Sequence, residues 1–197
     1  MPSSMIHLLA ARKHWLQGPS SYFAGTLAPD AIGERTFKDA LHYRDQPQRL
    51  SALAGWVRSH DMADPYTHGF ALHLYVDVLW DQGPQVDFRA LYKDGDWFLP
   101  YRNAINEASC WYYHHADWAP ACWNQMADYC RALPRAVYCG IPAQALEDAV
   151  LRNQHWHQQH SPASSGYYTP QLIEDFTTNA AEAFARWSAA VVNAESD

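Results

Sequence analysis

His73 and Asp77 stand four residues apart within Phe70-Ala71-Leu72-His73-Leu74-Tyr75-Val76-Asp77-Val78-Leu79-Trp80. On a helix this spacing puts both side chains on one face, within about 5–6 Å of each other. Phe70 and Trp80 share that face. An imidazole and a carboxylate placed among aromatics need partners, because a buried charge is costly unless it is paired. A divalent cation satisfies both groups at once. Taken alone, such a pair is as readily a hydrogen-bonded core histidine, and three further residues change the balance.

His7 lies between Ile6 and Leu8. Asp30 follows Pro29 in a stretch of small residues, where capping a short helix is its ordinary role. His42 lies in Leu41-His42-Tyr43. Neutral imidazoles with carboxylates suit zinc or another first-row metal. Five ligands exceed what a closed four-coordinate site needs. They suit one or two ions, with a shared carboxylate and a position open to water. The chemistry expected of that set is metal-assisted hydrolysis of a phosphoester. Asp30 and Asp77 are the candidate catalytic carboxylates, Asp30 to orient or deprotonate the attacking water. His115 and His157 are candidates for an additional ligand or an acid for the leaving group.

The elements that must position these residues read as helices. Ser3 opens a first helix running to about Gln17, which Gly18-Pro19 stops. Residues 20–31 read as irregular, and His42 as part of a loop before Pro47. Leu50 to Val57 is amphipathic. Asp64 and Pro65 open the central helix, and Gly83-Pro84 ends it. Val86 to Tyr92 is a short helix, closed by a turn at Lys93-Asp94-Gly95-Asp96. Further helices start at Pro100, Pro120 and Pro142, the last running to about His160. After a loop at 161–166, Thr169-Pro170 opens a final helix with Ile173, Phe176, Ala180, Phe184, Trp187 and Val191 as its core stripe. Alternating strand patterns are nearly absent. The expectation is one all-α, multi-helix domain over residues 1–197.

Composition narrows the partners. The 197 residues suffice for a large core, and 48 % hydrophobic residues with nine Trp and twelve Tyr exclude a disordered chain. A net charge of −7 argues against a phosphate-backbone footprint, so no nucleic acid partner is expected. No apolar run approaches the roughly 18–20 residues that span a bilayer. No secretory signal is visible at the start, which points to the cytoplasm. Cys110, Cys122, Cys130 and Cys139 lack Cys-x-x-Cys spacing and read as reduced thiols. The default substrate is then a small soluble phosphoester.

At this point the chain resembles the zinc-dependent phospholipase C family, especially its small bacterial members, and is also similar to the fungal zinc nucleases that cut single strands. The likeness lies in Met1-Pro2-Ser3-Ser4-Met5-Ile6-His7-Leu8, in Phe23-Ala24-Gly25-Thr26-Leu27-Ala28-Pro29-Asp30-Ala31 followed by His42, and in Gly69 through Trp80. It covers about the first 85 residues well and is weaker beyond, at Trp97-Phe98-Leu99-Pro100-Tyr101-Arg102 and Trp156-His157. The resemblance implies an all-helical fold with a metal cluster. It assigns Asp30, His42 and His73 to one ion, and His7 and Asp77 to a second. Two features of the family are missing: the N-terminal Trp ligand, and a His-x-x-x-Glu after Asp77 for a third ion.

Two other readings compete. His42, His60-Asp61 and Asp77 imitate the pattern of His-Asp phosphohydrolases, another all-α, metal-dependent class. The chain could also be a non-catalytic all-α metal-binding protein. A Ser- or Cys-based hydrolase lacks support, because Ser109-Cys110 falls within a helix and no Gly-x-Ser-x-Gly occurs.

Overall fold

Asp64 starts the helix on which the fold is built. Its Oδ2 accepts from the Thr67 amide at 2.8 Å and from the Thr67 hydroxyl at 2.7 Å. Pro65 fills the first helical position, where no amide donor is needed. The helix, α5, runs Pro65–Gln82 and stops at Gly83. Phe70, Ala71, Leu72, Val76 and Trp80 are fully buried, so α5 is enclosed on all sides rather than amphipathic. Burying side chains such as Phe70 and Leu72 stabilises by about 1.5–3 kcal/mol each.

The computed structural model describes residues 2–92 and 95–194. It is helical, with a single continuous hydrophobic core. In chain order come α1 (Ser4–His14), α2 (Ser20–Leu27), a 3₁₀ turn (Ala28–Asp30), α3 (Arg35–Leu41), α4 (Arg49–Arg58), α5 and α6 (Pro84–Ala90). Then follow α7 (Phe98–His115), α8 (Ala119–Ala132), a two-strand hairpin of β1 (Val137–Tyr138) and β2 (Ile141–Pro142), α9 (Ala143–Gln159) and α10 (Pro170–Asn193). The antiparallel strands pair Val137 with Pro142 and Tyr138 with Ile141. Cys139 and Gly140 turn the chain between them with positive φ, 49° and 80°. The described helices include none long and apolar enough to cross a membrane.

The helical expectation holds; besides the hairpin and an α1 that ends at His14 rather than near Gln17, three local differences follow. Residues 20–31 are not irregular: they form α2 and the 3₁₀ turn. Tyr22 to Ala28 are all buried, and burial here overrides the modest helix propensity of Ser, Tyr, Phe and Gly. Gly25 and Gly69 make that burial possible. A Cβ on Gly25 would lie 2.1 Å from Tyr66 O, and one on Gly69 would lie 2.1 Å from Tyr22 O. The backbones of α2 and α5 therefore touch where only glycine fits. The second difference is α3, which the sequence reading leaves as loop. Glu34 caps it, accepting from the amides of Thr36 at 2.8 Å and Phe37 at 2.6 Å. The third is the start of α7 at Phe98, two residues before Pro100. Lys93 and Asp94 of the expected turn lie outside the described residues.

Aromatic pairs tie the outer helices to the centre. Trp80 Nε1 donates to Tyr101 Oη of α7 at 2.8 Å. Trp123 Nε1 of α8 donates to Met5 Sδ of α1 at 3.3 Å. Helix α10 lies along α1 and α5, with Phe184 fully buried. The four cysteines are free thiols.

Candidate metal centre

Four elements deliver the five candidate ligands to one place. Helix α1 carries His7 and the 3₁₀ turn carries Asp30. His42 is the residue after α3, and α5 carries His73 and Asp77. His7, His73 and Asp77 are fully buried, and His42 nearly so. Asp30 keeps 27 % of its side chain exposed and is the group nearest solvent.

Their geometry is that of a ligand cluster. His42 Nε2 lies 3.1 Å from His73 Nε2. Asp30 Oδ1 is 3.4 Å from His42 Nε2 and 3.9 Å from His73 Nε2. The two oxygens of Asp77 face different partners: Oδ1 lies 3.3 Å from His7 Nε2, and Oδ2 lies 3.4 Å from His42 Nε2. The rings of His7 and His73 stack at 3.8 Å between centroids. Two overlapping triads result, His7–Asp30–His73 and His42–His73–Asp77, each with its ligand atoms within 4.8 Å of one another. His73 belongs to both, a division different from the three-plus-two split that the family resemblance implies.

Backbone carbonyls set the imidazole orientations. Nδ1 of His73 is 2.7 Å from Thr26 O, the last turn of α2. Nδ1 of His42 is 2.7 Å from Lys38 O. A carbonyl can only accept, so both Nδ1 atoms carry the proton and both Nε2 lone pairs point inward. Two inward lone pairs 3.1 Å apart repel unless a proton or a cation lies between them. His7 and Asp77 add to the demand. Both ring nitrogens of His7 and Oδ1 of Asp77 are buried with no hydrogen-bond partner; the 3.3 Å approach of His7 to Asp77 lacks hydrogen-bond geometry. Orphaned buried polar atoms are rare in a native fold. This donor set fits a first-row divalent cation.

Charge is arranged to keep the carboxylates ionised. Burial opposes ionisation of Asp77, but the His7 imidazole 3.3 Å away and the nearby His73 and His42 outweigh burial and hold its pKa below the usual range. Asp30 is treated likewise: burial raises it, while His42, His73 and Lys38 bring it well below the ordinary value. Lys38 Nζ meets Asp30 Oδ1 at 2.7 Å. Burial, reinforced by His7, pushes the His73 pKa down to about 3, so its imidazole is neutral near pH 7 and able to ligate. Arg44 reaches Asp77 Oδ2 at 3.2 Å and Asp39 at 2.8 Å. Arg49 donates to the His42 carbonyl at 3.2 Å and meets Asp81 at 2.9 Å. None of the arginine and lysine partners was singled out by sequence reasoning. The signal available was the density of Arg and Lys between Arg35 and Arg49, close to His42.

The cluster opens on a cavity of about 320 Å³. Asp30, Lys38, Arg102, Asn106, Ser109 and His157 are among the residues that line it. Asp77 does not line it. His157 thus reaches the cavity, but not as part of either triad. Its Nδ1 is 2.6 Å from Asn153 O, and its Nε2 accepts from Ser109 Oγ at 2.8 Å. Burial pushes its pKa down to about 4, so it is a hydrogen-bond acceptor here rather than a proton donor. His115 lies apart. It is exposed, stacks on Trp111 at 4.3 Å and bonds the Trp111 carbonyl one turn back. Its spacing on α7 faces it away from the cluster. His60 is also exposed, stacked on Trp56 at 4.0 Å, and the structure does not bring it to His42.

Comparison with family models, with curated proteins and with solved structures gave no match.

Proposed function

We propose that this chain is a metal-dependent hydrolase of a phosphoester, using zinc or a similar first-row ion. The observation that carries the reading is the pair of inward Nε2 lone pairs on His42 and His73, backed by the split carboxylate of Asp77. Asp30, 3.4 Å from His42 Nε2, connects that arrangement to a cavity whose wall bears Lys38 and Arg102. His7, Asp30, His42, His73 and Asp77 would hold one or two ions. A bound ion would supply Lewis acidity, lowering the pKa of water and offsetting negative charge on phosphate.

The side chains do the rest. Asp30 is the only member of the cluster lining the cavity, so it is the group that meets a water there. A carboxylate held well below its ordinary pKa is a weak base. Its role is therefore to orient the water by accepting a hydrogen bond, more than to remove its proton. Asp77 turns one oxygen toward His7 and the other toward His42. Lys38 offsets charge on Asp30 and lines the cavity wall. Ser109, whose hydroxyl proton is directed to His157 Nε2, offers the cavity an oxygen acceptor.

A second reading is a non-catalytic metal-binding protein, favoured by the full burial of His7, His73 and Asp77. A metal-reconstituted screen separates the two. It tests phosphomonoesters, phosphodiesters, phosphocholine lipids and single-stranded oligonucleotides, with Asp77→Asn as control. The hydrolase reading expects turnover in one class that the control loses. Wild type equal to the control on every class puts the binding protein ahead.

A further inference from the structure

The cavity beside Asp30 does not end at Lys38 and Arg102. These two residues also line a second, larger groove of about 850 Å³ whose other walls carry Arg35, Arg44, Arg49, Asp39 and Asp81. On a chain of net charge −7, five cationic side chains gather along one connected surface. Four of the five are already matched. Lys38 meets Asp30 at 2.7 Å, Arg35 meets Asp39 at 3.6 Å, Arg44 meets Asp39 at 2.8 Å, and Arg49 meets Asp81 at 2.9 Å. Arg102 forms no ion pair among the described residues, although it is half-buried and stands where the two cavities join. Asn106, one turn further along α7, lines the smaller cavity beside it. A planar guanidinium with unused donors, next to an amide on the same helical face, is a fork for the oxygens of an anion.

We propose that Arg102 is the specificity-determining cation of this site and selects a dianionic phosphomonoester over a phosphodiester. The proposal rests on the phosphoester reading above. A diester carries one negative charge, shared by its two non-bridging oxygens, which the His/Asp cluster and its ion would meet. It leaves the Arg102 guanidinium without a counter-charge. A monoester carries a second negative oxygen, and Arg102, with Asn106, stands on the cavity wall to take it. The remainder of the substrate then extends past Arg102 into the larger groove.

Binding of two small probes, methyl phosphate and dimethyl phosphate, tests this by titration calorimetry, with methanol release assayed in parallel so that heat of turnover is separated from heat of binding. The full chain is used in zinc-loaded and metal-free forms, as wild type, Arg102→Gln and Arg102→Lys, with metal content and melting temperature recorded for each. Wild type is expected to prefer methyl phosphate by at least about tenfold. Arg102→Gln should lose about that factor for methyl phosphate, change little for dimethyl phosphate and keep its metal and melting temperature. Arg102→Lys should recover part of the loss, because it restores charge without the fork. Equal binding of methyl phosphate by wild type and Arg102→Gln overturns the proposal while leaving the metal reading intact. So does a wild-type preference for the diester, or binding of neither probe in both forms. A chain that takes no zinc overturns the hydrolase reading instead, and the metal-free comparison of wild type with Arg102→Gln still decides the role of Arg102.

Discussion

Thr26 O and His73 Nδ1 are 2.7 Å apart, and through that bond α2 fixes the imidazole that both ligand triads share. The contact exists because α2 and α5 approach at Gly25 and Gly69. Orientation of the candidate ligand His73 and close packing of two helices are thus one feature of the chain.

Gly69→Ala and Gly25→Ala should therefore damage both. Each new methyl would fall 2.1 Å from a backbone oxygen, which cannot move like a side chain tip. Overpacking of this kind costs about 1–3 kcal/mol or more. Both variants are expected to melt lower and to bind zinc more weakly than wild type. Gly55→Ala is the control: it sits in the exposed face of α4 with open space around it, and should gain up to about 1 kcal/mol from helix propensity. Thermal melts with and without zinc check all three.

Arg44→Met should separate the metal-free from the metal-loaded protein. Arg44 supplies a donor to Asp77 Oδ2, a fully buried oxygen, at 3.2 Å. Without an ion, removing that donor should cost about 1.5–3 kcal/mol, the usual range for a hydrogen bond to a charged group. With an ion ligated by Asp77, the carboxylate keeps a counter-charge and the loss should shrink. The difference between the two melting shifts is the measurement. Equal shifts would show that Asp77 does not ligate.

Acid should destabilise the fold in two stages. His73 and His157 have folded pKa values pushed down to about 3 and about 4 from an ordinary 6.5. The unfolded chain binds their protons first, so stability falls as pH drops from 6.5 towards 4. Asp30 and Asp77 are held below 3.8, and their contribution, present above that pH, is lost only as pH falls further. Added zinc should raise stability across this range and leave the onset near pH 6.5, which the unfolded chain sets, while extending the loss to lower pH, because protons must then displace the ion from the folded state. Chemical unfolding at a series of pH values reads both stages. Stability that rises between pH 6.5 and 4 would contradict the buried neutral imidazoles.

Much of the site was legible in the sequence, and the reason is local. His73 and Asp77 sit at i and i+4 on a strongly capped helix, so their common face follows from helical geometry alone. His7, Asp30 and His42 were singled out by residue type and setting, and the structure brings them to the same place. What the sequence could not show depended on non-local contacts. Residues 20–31 became helical because α5 covers them. Arg44 and Arg102 owe their positions to the folding of α3 and α7 around the cluster, which no spacing encodes. His115 is a candidate by residue type alone, yet its turn of α7 is exposed and its ring rests on Trp111.

The most direct test of the account is metal content. The full-length protein, purified without chelator, is analysed for first-row metals and then melted before and after chelator treatment, beside His73→Ala and Asp77→Asn. Wild type is expected to carry one or two equivalents of a divalent ion and to melt markedly lower on chelation, and each variant to lose both the ion and the chelator response. A saturated site of this kind contributes about 4 kcal/mol when free metal is a thousandfold above its dissociation constant. Wild-type protein that carries no metal, takes up none when zinc is supplied, and melts at the same temperature with chelator or zinc would contradict it.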